Sequence, residues 1–303
     1  MIKVAIVLLN WKQPKLTIQT LESLLKMKSK SFDYQILLLD NHSPDDSLKI
    51  LKEKYSKNKK IRIIDTGDNL GYVGNNVGLK ISLKENFDFS LLINNDVLVD
   101  PDFLEELIKE SNNYHLLQPK IYFAPGYEFF KNKYSKKEIG RVIWSAGGQI
   151  DWNNIYGSNF AVDEVDNGQH DQIKTDLDFL TGCCLLINNK VLNKIGLLDE
   201  KYFMYFEDVD FCQRAKKAGF KLAYIPKSKI WHLNSGSSKS GGDLHDYFIT
   251  RNRLLFALRY ANLRAKFAVF RESLRFLIKP VSKWQRQGII DFYLNKFNKG
   301  SWK

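Results

Sequence analysis

Two acidic segments, a glycine run and one histidine are the parts of this sequence best equipped for chemistry. Glu207-Asp208-Val209-Asp210 places three carboxylates within four residues, with Arg214 one helical turn beyond Asp210. Such crowding is unfavourable unless a helix N-terminus or a cation tolerates it. A carboxylate set there can take the proton of an incoming hydroxyl; the plainer reading is a negatively charged helix start. Asn94-Asn95-Asp96 ends an apolar run. An acid at that point can hold Mg²⁺ or Mn²⁺ bridging two phosphates, which needs only one or two protein ligands; the plainer reading is a turn cap. The run Asn69-Leu70-Gly71-Tyr72-Val73-Gly74-Asn75-Asn76-Val77-Gly78 allows close backbone approach to a ligand. Its spacing is not that of a dinucleotide fingerprint. His232 follows Ile230-Trp231 at the exit of an apolar segment, which suits a ligand or an ordinary structural histidine. His42, His115, His170 and His245 have no comparable setting.

The elements that must position these residues alternate. Val4 to Leu9, Gln35 to Leu39, Ile61 to Ile64 and Phe89 to Ile93 read as strands, and the continuous apolar runs among them indicate cover on both faces. Between them lie helical segments: Leu16 to Leu25 after Pro14, Asp45 to Leu51, and one following the glycine run. Asp100-Pro101 opens another with Phe103, Leu104 and Leu107. This alternation predicts a parallel, three-layer α/β sheet. Asn10, Asp40, Asn69 and Asp96 gather at the C-terminal ends of strands, the edge at which open α/β sheets bind ligands. From about Ile121 to Lys174 the pattern gives way to short strands and turns around Trp144, Gly147, Gly148, Trp152 and Gly157. The expectations beyond are a strand over Asp178 to Ile187, a helix over Lys190 to Ile195, a helix from Phe203 to Ala218, and a strand from Lys221 to Ile225 stopped by Pro226. Ser235 to Gly242 reads as a mobile Ser/Gly/Lys stretch.

With 303 residues, 44% hydrophobic and 26% charged, the chain can fold as one large domain with an appendage rather than stay disordered. The net charge of +12 is unevenly placed. Residues 251–303 hold 13 Lys and Arg against Glu272 and Asp291, so +11 lies there and about +1 on the first 250 residues. A nucleic-acid-binding body would carry its own charge, so no nucleic-acid partner is expected. Leu263, Phe267, Phe270, Leu274 and Leu277 form an apolar helical stripe, with Arg264, Lys266, Arg271 and Arg275 largely off it. This predicts an interfacial helix attracted to anionic lipid; the alternative is a packing helix with a solvated basic face. No window reaches the length of a spanning helix, and Met1 to Leu9 reads as a buried strand rather than a signal peptide. Cys183, Cys184 and Cys212 form neither a C-x-x-C pair nor a disulfide framework, which fits a reducing cytoplasm.

Taken in order, several segments resemble family 2 glycosyltransferases of the GT-A fold, especially a bacterial rhamnosyltransferase-like branch. The matching text is Val7-Leu8-Leu9-Asn10-Trp11, Leu39 to Asp45, Asn69 to Asn76, Leu92 to Asp96, Thr181 to Ile187, Phe206 to Asp210 and Trp231-His232, covering roughly residues 1–255. The resemblance implies an α/β GT-A fold: a Rossmann-like, mostly parallel sheet flanked by helices, with a basic helical C-terminal extension. Its catalytic domain would occupy 1–245, with a donor half to about 120 and an acceptor half from 121, and the extension would occupy 246–303.

It also implies roles. Asp40 would bind a pyrimidine base, with Asn10 nearby. The loop of Asn69, Gly71, Gly74 and Asn76 would line the ribose and diphosphate pocket beside Asn94 and Asn95. Asp96 would be the metal acid of a D-x-D-type element; Asn94 stands where its first acid is often found, so metal binding would rest on Asp96 and His232. Asp208 would be the general base with Glu207 its neighbour, and Arg251 would lie near the leaving diphosphate. The implied activity is metal-dependent, inverting transfer of a sugar from a nucleoside diphosphate. dTDP-rhamnose is favoured as donor and a UDP-sugar comes next. The acceptor would be a saccharide or lipid-linked saccharide, in cell-surface polysaccharide synthesis at the cytoplasmic membrane face. A nucleotidyltransferase would instead carry a Gly-rich, Arg-bearing loop where Asn10 to Pro14 stand. A non-catalytic, membrane-docked nucleotide-binding subunit would have no need of intact Asp96, Asp208 and His232.

Overall fold

The computed structural model describes residues 1–130, 132–234 and 241–302. Ser235 to Ser240, most of the stretch expected to be mobile, lie outside the described residues. In the first half β1 (Ile2–Asn10), α1 (Pro14–Leu24), β2 (Phe32–Asp40), α2 (Ser47–Tyr55), β3 (Ile61–Asp65), α3 (Asn75–Lys84) and β4 (Phe89–Ile93) alternate as the periodicity predicts. β5 (Val97–Val99), α4 (Phe103–Glu110) and β6 (Leu116–Phe123) follow, then the short strands β7 (Ile143–Ser145), β8 (Gly148–Asp151) and β9 (Tyr156–Asn159). The remainder is β10 (Cys184–Asn188), α5 (Asn189–Ile195), α6 (Glu207–Lys217), β11 (Leu222–His232), α7 (Asp243–Tyr260), α8 (Leu263–Ile278) and α9 (Lys283–Tyr293).

The main sheet runs β3-β2-β1-β4-β10-β6-β11-β5, with β7 on β6, while β8 and β9 form a separate hairpin. β1 to β4 are parallel, as are β6 and β11. β10 enters antiparallel between β4 and β6, and β5 and β7 are antiparallel too, so the sheet is mixed. The apolar run of β1 is explained by double cover. Ala5 and Val7 face one buried cluster while Val4, Ile6 and Leu8 face the other. Register aligns Asn10 with Asp40 and Asp40 with Asp65, which sets the polar residues along one sheet edge.

Three expected elements differ. The strand expected from Asp178 begins only at Cys184, because the preceding N–H groups bond elsewhere: Phe179 to Gly148 O, Thr181 to Gln118 Oε1 and Gly182 to Asp208. β11 passes through Pro226, whose missing donor is absorbed by a register shift between Ile225 and Lys229. The helix expected from Phe203 starts at Glu207, since Phe203, Tyr205 and Phe206 are left-handed at φ of +62°, +67° and +71°. Bulky residues in that region cost about 1–3 kcal/mol each, so the turn needs external support.

α7 supplies it. Asn252 Nδ2 lies 2.9, 2.7 and 2.9 Å from the carbonyls of Tyr202, Met204 and Tyr205. The division expected at residue 245 therefore falls inside the first turn of a helix that packs on the body. α9 clamps α7 from behind: Tyr247 Oη bonds Asp291, and Gly288 lets the helices cross so closely that a Cβ there would lie 2.5 Å from Tyr247 O. α8, capped by Asn262, divides the predicted stripe. Phe270 and Leu277 turn toward the core alongside buried Ala265, Val269 and Ser273, while Leu263, Phe267 and Leu274 face outward.

Candidate active site

At the sheet edge the strand ends are joined by a polarised chain of hydrogen bonds. Asn95 Nδ2 donates to Thr17 Oγ1 at 3.0 Å, and Thr17 Oγ1 donates to Asn10 Oδ1 at 2.6 Å. Asn10 Nδ2 in turn donates to Asp40 Oδ2 at 2.7 Å. Ser43 completes the carboxylate, its N–H on Oδ1 at 2.7 Å and its hydroxyl on Oδ2 at 3.0 Å. Asp40 and Asn10 are fully buried. Beside them a cleft of about 480 Å³ opens between β2 and α2, lined by Asp40, His42, Ser43, Asp45, Lys49 and Asp65 among others.

The loop after β3 is held by Asn41, which sequence reasoning did not single out. Its side chain donates to Asn69 Oδ1 and Gly71 O and accepts from Leu70 N, at 3.0–3.1 Å. The glycines serve protein packing rather than the ligand approach expected of them. Gly71 has φ +66°, and a Cβ there would lie 2.4 Å from Phe203 O; one on Gly78 would lie 2.5 Å from Val7. Gly74 faces the Asn41 side chain in the same way. Asn76, nearly buried, clamps Leu198 by bonds to both its N–H and its carbonyl. Tyr72 and Val73 donate their backbone N–H groups to Phe203 O, which ties this loop to the strained turn.

Asp208 and the Asn94 turn attach to one short segment. Asp208 Oδ2 accepts the N–H of Gly182 at 2.8 Å. The next residue, Cys183, accepts the N–H of Asn94 at 2.9 Å. Tyr72 Oη donates to Gly182 O at 2.5 Å, so the glycine loop is fixed to the same segment. A Cβ on Gly182 would lie 2.4 Å from that oxygen, and the absence of one is what lets the tyrosine in. Burial pushes the Asp208 carboxyl up, against the pull of the Gly182 and Val209 N–H groups. Glu207 is raised well above its ordinary value by burial and by the charges of Asp208 and Asp210, and its Oε2 has no hydrogen-bond partner among the described residues. Of the two, Glu207 keeps its proton to higher pH, so Asp208 is the first to become a carboxylate.

Asp210 is a structural hub rather than part of the reacting group. Fully buried, it receives Arg214 Nε, Arg259 Nη1, Tyr260 Oη and Tyr202 Oη. It thereby locks α6 to α7.

On the other side of the segment, His232 Nε2 lies 3.2 Å from Asp96 Oδ1, and pairing of β11 with β5 sets the two side by side. His232 Nδ1 is buried and has no hydrogen-bond partner among the described residues, and the Trp144 ring packs edge-on against the imidazole at 4.6 Å. One carboxylate and one imidazole suit a divalent cation that draws its other ligands from a diphosphate. Among the described residues no three His, Cys, Asp or Glu side chains gather to form an all-protein cage. Arg251 is not at this site. It is fully buried, and its guanidinium donates to Lys201 O, Tyr202 O and Asn252 Oδ1 at 3.0–3.2 Å, so it braces the turn instead of facing a ligand.

Comparison with known proteins gives a consistent set of matches. A family model described as glycosyltransferase like family 2 matches residues 3–257. A low-salt glycan biosynthesis hexosyltransferase of Haloferax volcanii is 27% identical over 192 residues, covering 62% of this chain and 55% of the relative, so the match spans little more than half of that protein. An N-acetylglucosaminyl-diphospho-decaprenol L-rhamnosyltransferase of Mycobacterium tuberculosis is 25% identical over 216 residues, 67% of each chain. Among solved structures, GalNAc-T7 with UDP, GalNAc and Mn²⁺ superposes with a TM-score of 0.61 at 15% identity, over 97% of this chain and 57% of that one. TarS 1-349 of S. aureus gives 0.55 at 13% identity, over 96% and 79%. These two likenesses concern the fold.

Proposed function

The chain belongs to the family 2 glycosyltransferases and has their GT-A fold, and from that premise we propose that it is a divalent-metal-dependent, inverting transferase using a nucleoside diphosphate-sugar. The observation that carries the reading is the Gly182-Cys183 segment. It holds Asp208 by one residue and the backbone of the Asn94 to Asp96 turn by the next, which supports a reading in which base and metal acid serve one reacting centre. Asp208 takes the acceptor hydroxyl proton as that oxygen attacks the anomeric carbon. The bond from that carbon to the diphosphate breaks as the new one forms, on the opposite face, so configuration inverts and no enzyme nucleophile is needed. Asp96 and His232 would hold Mg²⁺ or Mn²⁺, which neutralises charge growing on the leaving diphosphate.

The Asn10–Asp40–Ser43 cluster is the proposed base-recognition end, and Asn69 and Asn94 flank the route to the phosphates. The relatives' names, a hexosyltransferase and an L-rhamnosyltransferase, make dTDP-rhamnose the first donor to test and UDP-hexoses the next. A saccharide on a lipid diphosphate is the first acceptor class to test, by analogy with the mycobacterial relative. A thermal-shift screen of nucleotide sugars with and without Mn²⁺ should give selective stabilisation by one donor. Adding acceptor should then release free nucleoside diphosphate. Donor binding without such release would leave a nucleotide-binding scaffold and overturn the catalytic reading.

A further inference from the structure

α8 is apolar on two sides. At about 100° per residue, Ala265, Val269, Ser273, Phe276, Leu277 and Phe270 fall on one arc of roughly 140° and pack inward. Leu263, Phe267, Leu274 and Ile278 fall on another arc of about 60° and are 85%, 69%, 55% and 81% exposed. Val281, 80% exposed, extends that face past the helix end. Arg264, Arg271 and Arg275 border it within roughly the next 60°, all exposed. Among the described residues none of the three forms an ion pair, and Arg271 lies over the Phe267 ring at 5.8 Å.

We propose that this outward face of α8 docks on the surface of an anionic lipid bilayer, with the helix lying in the membrane plane. Charge picks the occupant. The last 53 residues carry +11, so pairing this face with a second copy would bring like charge together, whereas acidic headgroups complement it. Length picks the orientation. At 16 residues α8 is about 24 Å long, and no helix among the described residues is long and apolar enough to cross a membrane. An apolar arc edged by arginines on a helix of this length is the geometry of an interfacial helix. The surface is defined by residues outside the glycosyl-transfer site and stands or falls independently of that reading.

The test uses the whole protein and vesicles of phosphatidylcholine with and without phosphatidylglycerol. The unaltered protein should sediment with the anionic vesicles at low salt, stay in solution with pure phosphatidylcholine, and detach at about 1 M salt, where the screening length is about 3 Å. Arg264→Glu with Arg271→Glu and Arg275→Glu, and separately Phe267→Ser with Leu274→Ser and Ile278→Ser, should each lower the bound fraction at least tenfold with unchanged thermal unfolding. Lys57→Glu with Lys59→Glu and Lys84→Glu changes net charge equally at a distant surface and should retain binding. Phe267→Trp should be quenched by brominated acyl chains, a readout that needs no multiple variant. No sedimentation of the unaltered protein, equal loss in the distant-charge variant, or a concentration-dependent dimer abolished by the serine variant would each overturn the proposal.

Discussion

Replacing Asp208 by Asn changes almost no volume yet removes the group proposed to accept the hydroxyl proton. The structure sets both the catalytic and the folding consequences. Asp208 receives two backbone N–H groups, from Gly182 and Val209, both at 2.8 Å. An amide can accept only one of them through its oxygen; the other then faces an NH₂, at a cost of about 1 kcal/mol. That loss is offset by removal of a buried charge, since burial is what raises this carboxyl. Unfolding should therefore move by no more than about 4 °C. General-base catalysis contributes about a hundredfold or more, so turnover should fall by at least about 2.7 kcal/mol in activation free energy. The assay is nucleoside diphosphate release under saturating donor, with donor affinity measured separately by calorimetry. Turnover near that of the unaltered protein would refute the assignment and turn attention to Glu207. A loss of donor affinity equal to the loss of turnover would place the carboxylate in donor binding instead.

Asp208 works deprotonated, so kcat/KM should fall as pH drops through its raised pKa, and the acid limb should sit above the ordinary value of 3.8; a limb at or below it would contradict the burial argument. Asp96→Ala and His232→Ala should each weaken donor binding in the presence of Mn²⁺ and leave the metal-free value unchanged; calorimetry giving unaltered Mn²⁺-dependent affinity in both would remove them from the metal role. Glu207, raised in the folded state, binds more protons folded than unfolded, so its contribution to stability falls as pH climbs from the unfolded pKa toward the folded one. Glu207→Gln should therefore gain Tm relative to the unaltered protein between pH 5 and pH 8, in scans at about those values; a constant difference would contradict the shift. Thr17→Val leaves Asn10 Oδ1 and Asn95 Nδ2 without their partner, which should cost about 1–3 kcal/mol in urea unfolding and raise the donor KM. Unchanged values of both would show that the chain of bonds from Asn95 to Asp40 matters little.

The early strands were legible because burial on both faces writes itself into the sequence as unbroken apolar runs, and Val4 to Leu9 is the clearest case. The polar residues that end those strands fall along one sheet edge because the parallel register aligns Asn10, Asp40 and Asp65. What escaped detection depends on partners distant in sequence. Nothing near Phe203 announces three left-handed residues, since the groups that sustain them lie on Asn252 and in the Tyr72 loop. Pro226 is a sound strand stop until a register shift removes the need for its N–H. Thr17, Asn41 and Gly182 look ordinary until folding places them against Asn10, Gly71 and Asp208. The glycines and Arg251 mislead in the opposite sense. Their types suit a phosphate, yet the space each occupies is filled by protein.

The bracing of the 202–206 turn by α7 determines how this chain can be dissected or recombined. A fragment ending at residue 245 would lack Arg251 and Asn252, stripping the side-chain donors from the carbonyls of Lys201, Tyr202, Met204 and Tyr205 just ahead of Asp208 and leaving Tyr202 O only the Met204 N–H. Ending after α7 strips away Asp291 and Gly288, against which Tyr247 is seated. The smallest transplantable unit thus extends through α9, and α8 is carried along inside it. A derivative with a changed α8 surface, or a chimera with a related enzyme, is better made by resurfacing α8 than by cutting the chain ahead of α9, and the apparent junction before the basic helices is a poor place to join another domain.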